Sequence, residues 1–168
     1  MSAVVIKTRV QAENVDALNR KAVYASADVD NGTAVSLAFP ATAGDEVFVA
    51  TPLTSGMTFN IGRKEPLIIA TGSILESEQA DAWLLEVTAG GWMAISPEVN
   101  KDVIGDIYKG LDPRRFTNKA GLPFDVVKLV EGDIIQVSKD FFEANYDPDT
   151  VTGATAVSMT AGKFRATT

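Results

Sequence analysis

Residues 22–39, AVYASADVDNGTAVSLAF, decide the fold class. Val23, Ala25 and Ala27 alternate with their neighbours, Asp30-Asn31-Gly32 supplies a turn, and Ala34 to Phe39 alternates again. Side chains two apart share one face of a strand, so each alternating run predicts a half-buried strand. Asn-Gly accepts the positive φ of tight turns, and the whole stretch therefore reads as a β-hairpin.

Working outward, the same grammar repeats. Towards the N-terminus, Ala3 to Val10 reads as a strand with Val4 and Ile6 on one face. Gln11 to Lys21 fits either a short helix or an extended connector, because Val15, Leu18 and Ala22 stand at helical spacing. Towards the C-terminus, Pro40 to Asp45 is a turn cluster and Glu46 to Thr51 a strand. Thr54 to Pro66, rich in Gly, Thr, Asn and charge, reads as a long surface loop with room for one short strand. Leu67 to Ala70 has the composition of a buried strand, and Ser73 and Glu76 stand at capping-box spacing for a helical turn.

Three more hairpins are predicted. Trp83–Val87 and Trp92–Ile95 flank Thr88-Ala89-Gly90-Gly91, and Val126–Val130 and Asp133–Val137 flank Glu131-Gly132. Ala154–Met159 and Lys163–Thr167 close the chain, after a loop-like stretch from Lys139 to Thr152. Between them, residues 96–123 hold Pro97, Gly105, Gly110, Pro113, Gly121 and Pro123 and a short helical candidate, Val99–Tyr108. The expected fold is mainly β, a sandwich or barrel of short hairpins with one or two short helices. Its organisation is an N-terminal strand and connector (1–21), a β-rich core (22–95), a linker (96–123) and C-terminal hairpins (124–168), as two small lobes or one compact domain.

Gly44-Asp45 and Gly132-Asp133 each precede an apolar run ending in Val, and Thr-Ala-Gly-x-aromatic-x-Ala occurs at 88–94 and 160–166. Recycled turn residues explain this echo more simply than a duplicated β-unit.

Composition narrows the function. The 168 residues are 46% hydrophobic and 22% charged, ordinary for a globular protein. Cys and His are both absent, which removes disulfides, thiolate and imidazole catalysis, and ordinary zinc or copper sites. The net charge of −7 opposes generic nucleic-acid binding, where cations must neutralise phosphates. No apolar run reaches the length of a membrane span, and Lys7 and Arg9 interrupt any secretory h-region, so synthesis and folding in a cytoplasm are expected.

Candidate chemistry is sparse. Asp28-Val29-Asp30-Asn31-Gly32 resembles the start of a calcium loop, but its Gly comes one place early and position twelve is Phe39 rather than Glu. A polar turn explains it better, and Asp147-Pro148-Asp149 is ordinary loop chemistry. Carboxylates alone can hydrolyse glycosides, yet no acid sits in an apolar setting that would raise its pKa; Glu86 comes nearest and is expected to face solvent. Trp83 and Trp92 read as core and hairpin anchors, leaving Tyr146 as the better sugar-stacking candidate. Asn31-Gly32-Thr33 matches a glycosylation sequon but reads as a turn. Neither a catalytic centre nor a cofactor or metal is expected.

The one basic stretch runs from Lys109 to Lys119, with Lys109, Arg114, Arg115 and Lys119 against Asp112. It is either a contact for an acidic partner, with Phe116 as an apolar anchor, or a solvated loop with Phe116 tucked into the core.

Taken together, the short N-terminal strand, KAVYASADVDNG at 21–32, the recurrent Gly-Asp turns and the small-residue finish from Met159 to Thr168 resemble the head-decoration (auxiliary capsid) proteins of tailed bacteriophages. The resemblance implies a non-enzymatic virion protein, made in the bacterial host, that binds the major capsid protein on the outside of an icosahedral shell. It also implies a homo-oligomer with neither a nucleic-acid nor a membrane partner. In that family an N-terminal segment adds to the capsid surface, which corresponds here to residues 1–10, with Val4, Ile6, Lys7 and Arg9 in the added strand. A carbohydrate- or surface-binding β-module is the alternative, and a carboxylate-based glycoside hydrolase a distant one.

Overall fold

A computed structural model describes residues 5–8, 18–39, 47–70, 77–95 and 117–168. The protein is mainly β. In chain order its strands are β1 (Val5–Thr8), β2 (Asn19–Ala25), β3 (Val29–Asp30), β4 (Ala34–Ala38), β5 (Val49–Pro52), β6 (Thr58–Lys64), β7 (Leu67–Ala70) and β8 (Ser77–Ala80). They continue with β9 (Ala82–Ala89), β10 (Gly91–Ile95), β11 (Thr117–Asn118), β12 (Phe124–Leu129), β13 (Ile134–Ser138), β14 (Ala156–Thr160) and β15 (Lys163–Thr167). A 3-10 turn at Lys139–Phe141 follows β13. The helical candidates at Ser73–Glu76 and Val99–Tyr108 lie outside the described residues.

Two sheets dominate. One has six strands in the order β1-β13-β9-β6-β14-β15, and the other is a closed five-stranded barrel, β10-β12-β2-β5-β4. The barrel closes through one parallel pair, β2 with β5. Two ribbons, β3 with β11 and β7 with β8, complete the structure.

The sheets are joined by a shared pair of long strands. β9 pairs antiparallel with β13 from Ala82↔Ser138 to Glu86↔Ile134. Its continuation β10 pairs with β12 from Gly91↔Leu129 to Ile95↔Asp125. The two residue numbers of every pair add to the same total in both sheets, so residues 82–95 and 125–138 form a ribbon that keeps one antiparallel register on either side of an interruption. The interruption lies at 88–90 and 130–132, where Asp133 N–H closes a turn on the Val130 carbonyl (3.1 Å). The ribbon kinks between the sheets, where Val87 donates to the Asp133 carbonyl (2.8 Å) and accepts from Gly132 N–H (2.9 Å). Gly90 makes the kink possible, because a Cβ there would lie 2.0 Å from the Leu129 carbonyl oxygen.

The hairpins expected around Gly90-Gly91 and Glu131-Gly132 are therefore corrected. Each turn carries the chain from one sheet into the other, and the flanking strands pair across the ribbon instead. The opening hairpin is corrected too. A turn does form at Asp30-Asn31-Gly32, with Thr33 N–H donating to the Asp30 carbonyl (3.1 Å). But β2 pairs with β12 and β5, while β4 pairs with β5 and β10. Only the last hairpin forms as read: Thr160↔Lys163 closes β14 on β15 around Ala161 (φ 49°) and Gly162 (φ 76°), the two positive φ values of a type I′ turn. The Thr-Ala-Gly echo thus has no common structure, being a crossing at 88–94 and a tight turn at 160–166.

Two strands extend beyond their expected limits. β2 begins at Asn19, so no helix runs to Lys21. β6, seven residues long, crosses the middle of the six-stranded sheet where a surface loop with room for one short strand was expected. Its outward face carries Thr58, Asn60 and Gly62 while Met57 and Phe59 point into the core.

Each sheet encloses its own core. The larger gathers Phe59, Trp83, Leu85, Phe141, Phe142 and Phe164 with Met57 and Met159. The barrel interior is filled by smaller residues, Val23, Ala25, Val35, Ala50, Ala94 and Val126, with Phe124 at one end. The wall between them is shared: Met93, Val127 and Leu129 face the larger core while their neighbours Ala94 and Val126 face the barrel. Strands buried on both faces read as continuous apolar runs, as β10 and β12 do.

Candidate interaction surfaces

Val5–Thr8 form the edge strand β1, pairing antiparallel with β13 from Val5↔Val137 to Thr8↔Ile134. Ile6 and Lys7 lie in this strand, and Val4 and Arg9 fall outside the described residues. Strand addition by the N-terminal segment therefore has one partner inside the chain itself, with the other side of β1 at the rim of the sheet.

In the basic stretch, Lys109, Arg114, Arg115 and Phe116 lie outside the described residues, and Lys119 lies within them. Lys119 Nζ is 2.7 Å from Asp28 Oδ2, and Asp28 Oδ1 accepts from the Ala120 N–H (2.9 Å). The Lys119 hydrogen bond, seconded by the Ala120 N–H, lowers the Asp28 pKa. Two residues on, Asp30 Oδ1 accepts from the Thr117 hydroxyl (2.7 Å), and Asn118 Nδ2 donates to the Val29 carbonyl (3.1 Å). The carboxylate pair that resembled a calcium loop thus clasps β11 where the chain returns to the barrel. Asn31, the sequon residue, is 1% exposed, and so presents no accessible amide for a glycan.

The other acids also have structural partners. Asp147 is 3% exposed. Burial pushes its pKa up, but the Thr150 hydroxyl (2.8 Å), the nearby Lys139 ammonium and the N–H groups of Asp149 and Thr150 outweigh this and lower it. Lys64 bridges Asp149 (2.5 Å) and Asp81 (3.2 Å), which raises its own pKa. Glu86 faces solvent, as its place in the alternation predicted.

The aromatic residues divide sharply. Trp83 is buried edge-on against Phe142, with ring centres 5.4 Å apart. Tyr146 is partly exposed, but the Arg165 guanidinium lies 3.7 Å over its ring, covering a face that a sugar would need. Trp92 sits at the end of the barrel where β10 and β2 begin. There the Arg20 guanidinium lies 5.5 Å from the Trp92 ring centre and 5.6 Å from that of Phe48, and Lys128 Nζ lies 6.0 Å from Trp92. Phe39 stacks on Phe48 at 5.0 Å and is itself 82% exposed. Tyr24 and Val49, paired across β2 and β5, are also exposed but lie on the outer face of the barrel wall, since their neighbours Val23, Ala25 and Ala50 face the barrel core. Sequence reading missed this rim, whose only local sign is a pair of phenylalanines, Phe39 and Phe48, on either side of the turn cluster at 40–45.

No family model, curated protein or solved structure matches the chain. Among the described residues no helix is long and apolar enough to cross a membrane.

Proposed function

We propose that this protein is a virion structural protein, a head-decoration protein of a tailed bacteriophage that binds the outer surface of the capsid shell as a homo-oligomer. The observation that carries this reading is the ribbon of residues 82–95 and 125–138, which runs through both sheets in one register and forms the wall between their cores. A load applied along such a ribbon is shared by many backbone hydrogen bonds at once, which suits a part that must reinforce a shell under internal pressure. The N-terminal strand supports the same reading, because β1 already lies at a sheet edge. A strand there can present its outer side to a neighbouring sheet.

The test is direct binding to empty mature capsids of the phage whose structural genes adjoin the reading frame. Saturable binding at a fixed ratio to capsid subunits is expected, weakened by deletion of residues 1–10. Absence of binding to those capsids would overturn the reading.

A further inference from the structure

The aromatic rim of the barrel has no structural task that requires its exposure. Phe39 projects almost wholly into solvent, although Phe48, which it stacks on, would keep its place against the barrel core without it. An exposed ring stacked on half-buried Phe48, with Trp92 and two cations beyond it, has the aromatic and cationic composition enriched at interfaces. The charge beside it is equally informative. Arg20 and Lys128 both lie over Trp92 in a chain whose net charge is −7, and Lys128 forms no ion pair among the described residues.

We propose that this rim binds an acidic peptide segment of a partner protein, with an apolar side chain against Phe39 and Phe48 and a carboxylate at Lys128. An extended strand advances about 3.3 Å per residue, so a few residues cover such a rim. The favoured ligand is peptide rather than nucleic acid, because the single position at Lys128 matches one carboxylate rather than a run of phosphates. The proposal is independent of the shell-binding reading.

The probe is a short synthetic peptide of alternating Glu and Phe, followed by tryptophan emission of the full chain. Trp92 lies at the rim while Trp83 is buried, so a change on binding reports the rim. Saturable binding is expected, weakened about tenfold by Lys128→Glu and by Phe39→Ser, and about tenfold when Gln replaces Glu in the peptide. Circular dichroism of each variant separates lost binding from lost folding, and rim exposure predicts that both variants fold. Equal binding of the Gln peptide, tighter binding of oligo-dT, Phe39-dependent self-association in sedimentation, or no binding at millimolar peptide would each overturn the proposal.

Discussion

The six-stranded sheet and the five-stranded barrel bury apolar surface in opposite ways. The sheet interlocks large rings: Phe164 lies 4.5 Å from Phe141 and 4.9 Å from Phe59 between ring centres. The barrel is narrow and accepts mainly Val and Ala, so its aromatic residues Trp92, Phe48 and Phe39 collect at one mouth. A wide core can use aromatic residues for stability. A closed small barrel displaces them to the surface, where they are free to serve recognition.

That contrast can be broken at its strongest point first. Phe164→Ala should cost about 3–5 kcal/mol in urea unfolding, since the ring is fully buried among other aromatics. A loss below about 1 kcal/mol would mean that the aromatic cluster is not what holds the sheet core together.

The kink comes next. Gly90→Ala should cost about 3 kcal/mol, because the new methyl meets the Leu129 carbonyl rather than a movable side chain. A neutral result would show that the ribbon does not bend there. For the barrel, Ala94→Leu should cost about 1–3 kcal/mol by overfilling a space lined with small residues. If Ala94→Leu instead stabilises the fold, the barrel interior is roomier than its lining implies.

The last expected effect, of similar size, is electrostatic and belongs to the sheet side. Asp147→Asn should cost about 1–3 kcal/mol at neutral pH through lost hydrogen bonds. Because the folded-state pKa of Asp147 is lowered, its contribution is complete above the unfolded value of about 3.9 and fades as pH falls through the folded value. The gap between the Asn variant and the parent should therefore narrow in acid. A gap that stays constant from pH 7 to pH 3 would remove the carboxylate charge from the account.

Much of this was legible in the sequence, and the missing parts share a cause. Alternation located β4, β9, β14 and β15, because one-sided burial writes a period of two directly into the chain, while β10, β12 and β13 were marked by apolar runs between turn residues. Turn residues located where the chain bends, at Asn31-Gly32, Gly90-Gly91, Glu131-Gly132 and Ala161-Gly162. Local chemistry does not say whether the next strand returns beside the last one or leaves for another sheet, and only Ala161-Gly162 does the former. β6 was hidden because Thr58, Asn60 and Gly62 look like loop residues until their partners on β9 and β14 are known. The candidate surfaces were legible only in part. Lys119 stood out by charge, but its partner Asp28 is distant in sequence, and the rim is assembled from five separate strands or their flanks.

The central claim is that the shared ribbon makes the two cores one cooperative body. Each core has its own reporter, Trp83 against Phe142 in the sheet and Trp92 at the barrel mouth. Urea unfolding followed by fluorescence in the Trp83→Phe and Trp92→Phe variants, each compared with its own far-ultraviolet circular dichroism, isolates one reporter at a time. The account predicts a single transition in each variant, with fluorescence and circular dichroism coincident. A barrel signal from Trp92 that is lost before the sheet unfolds would contradict it.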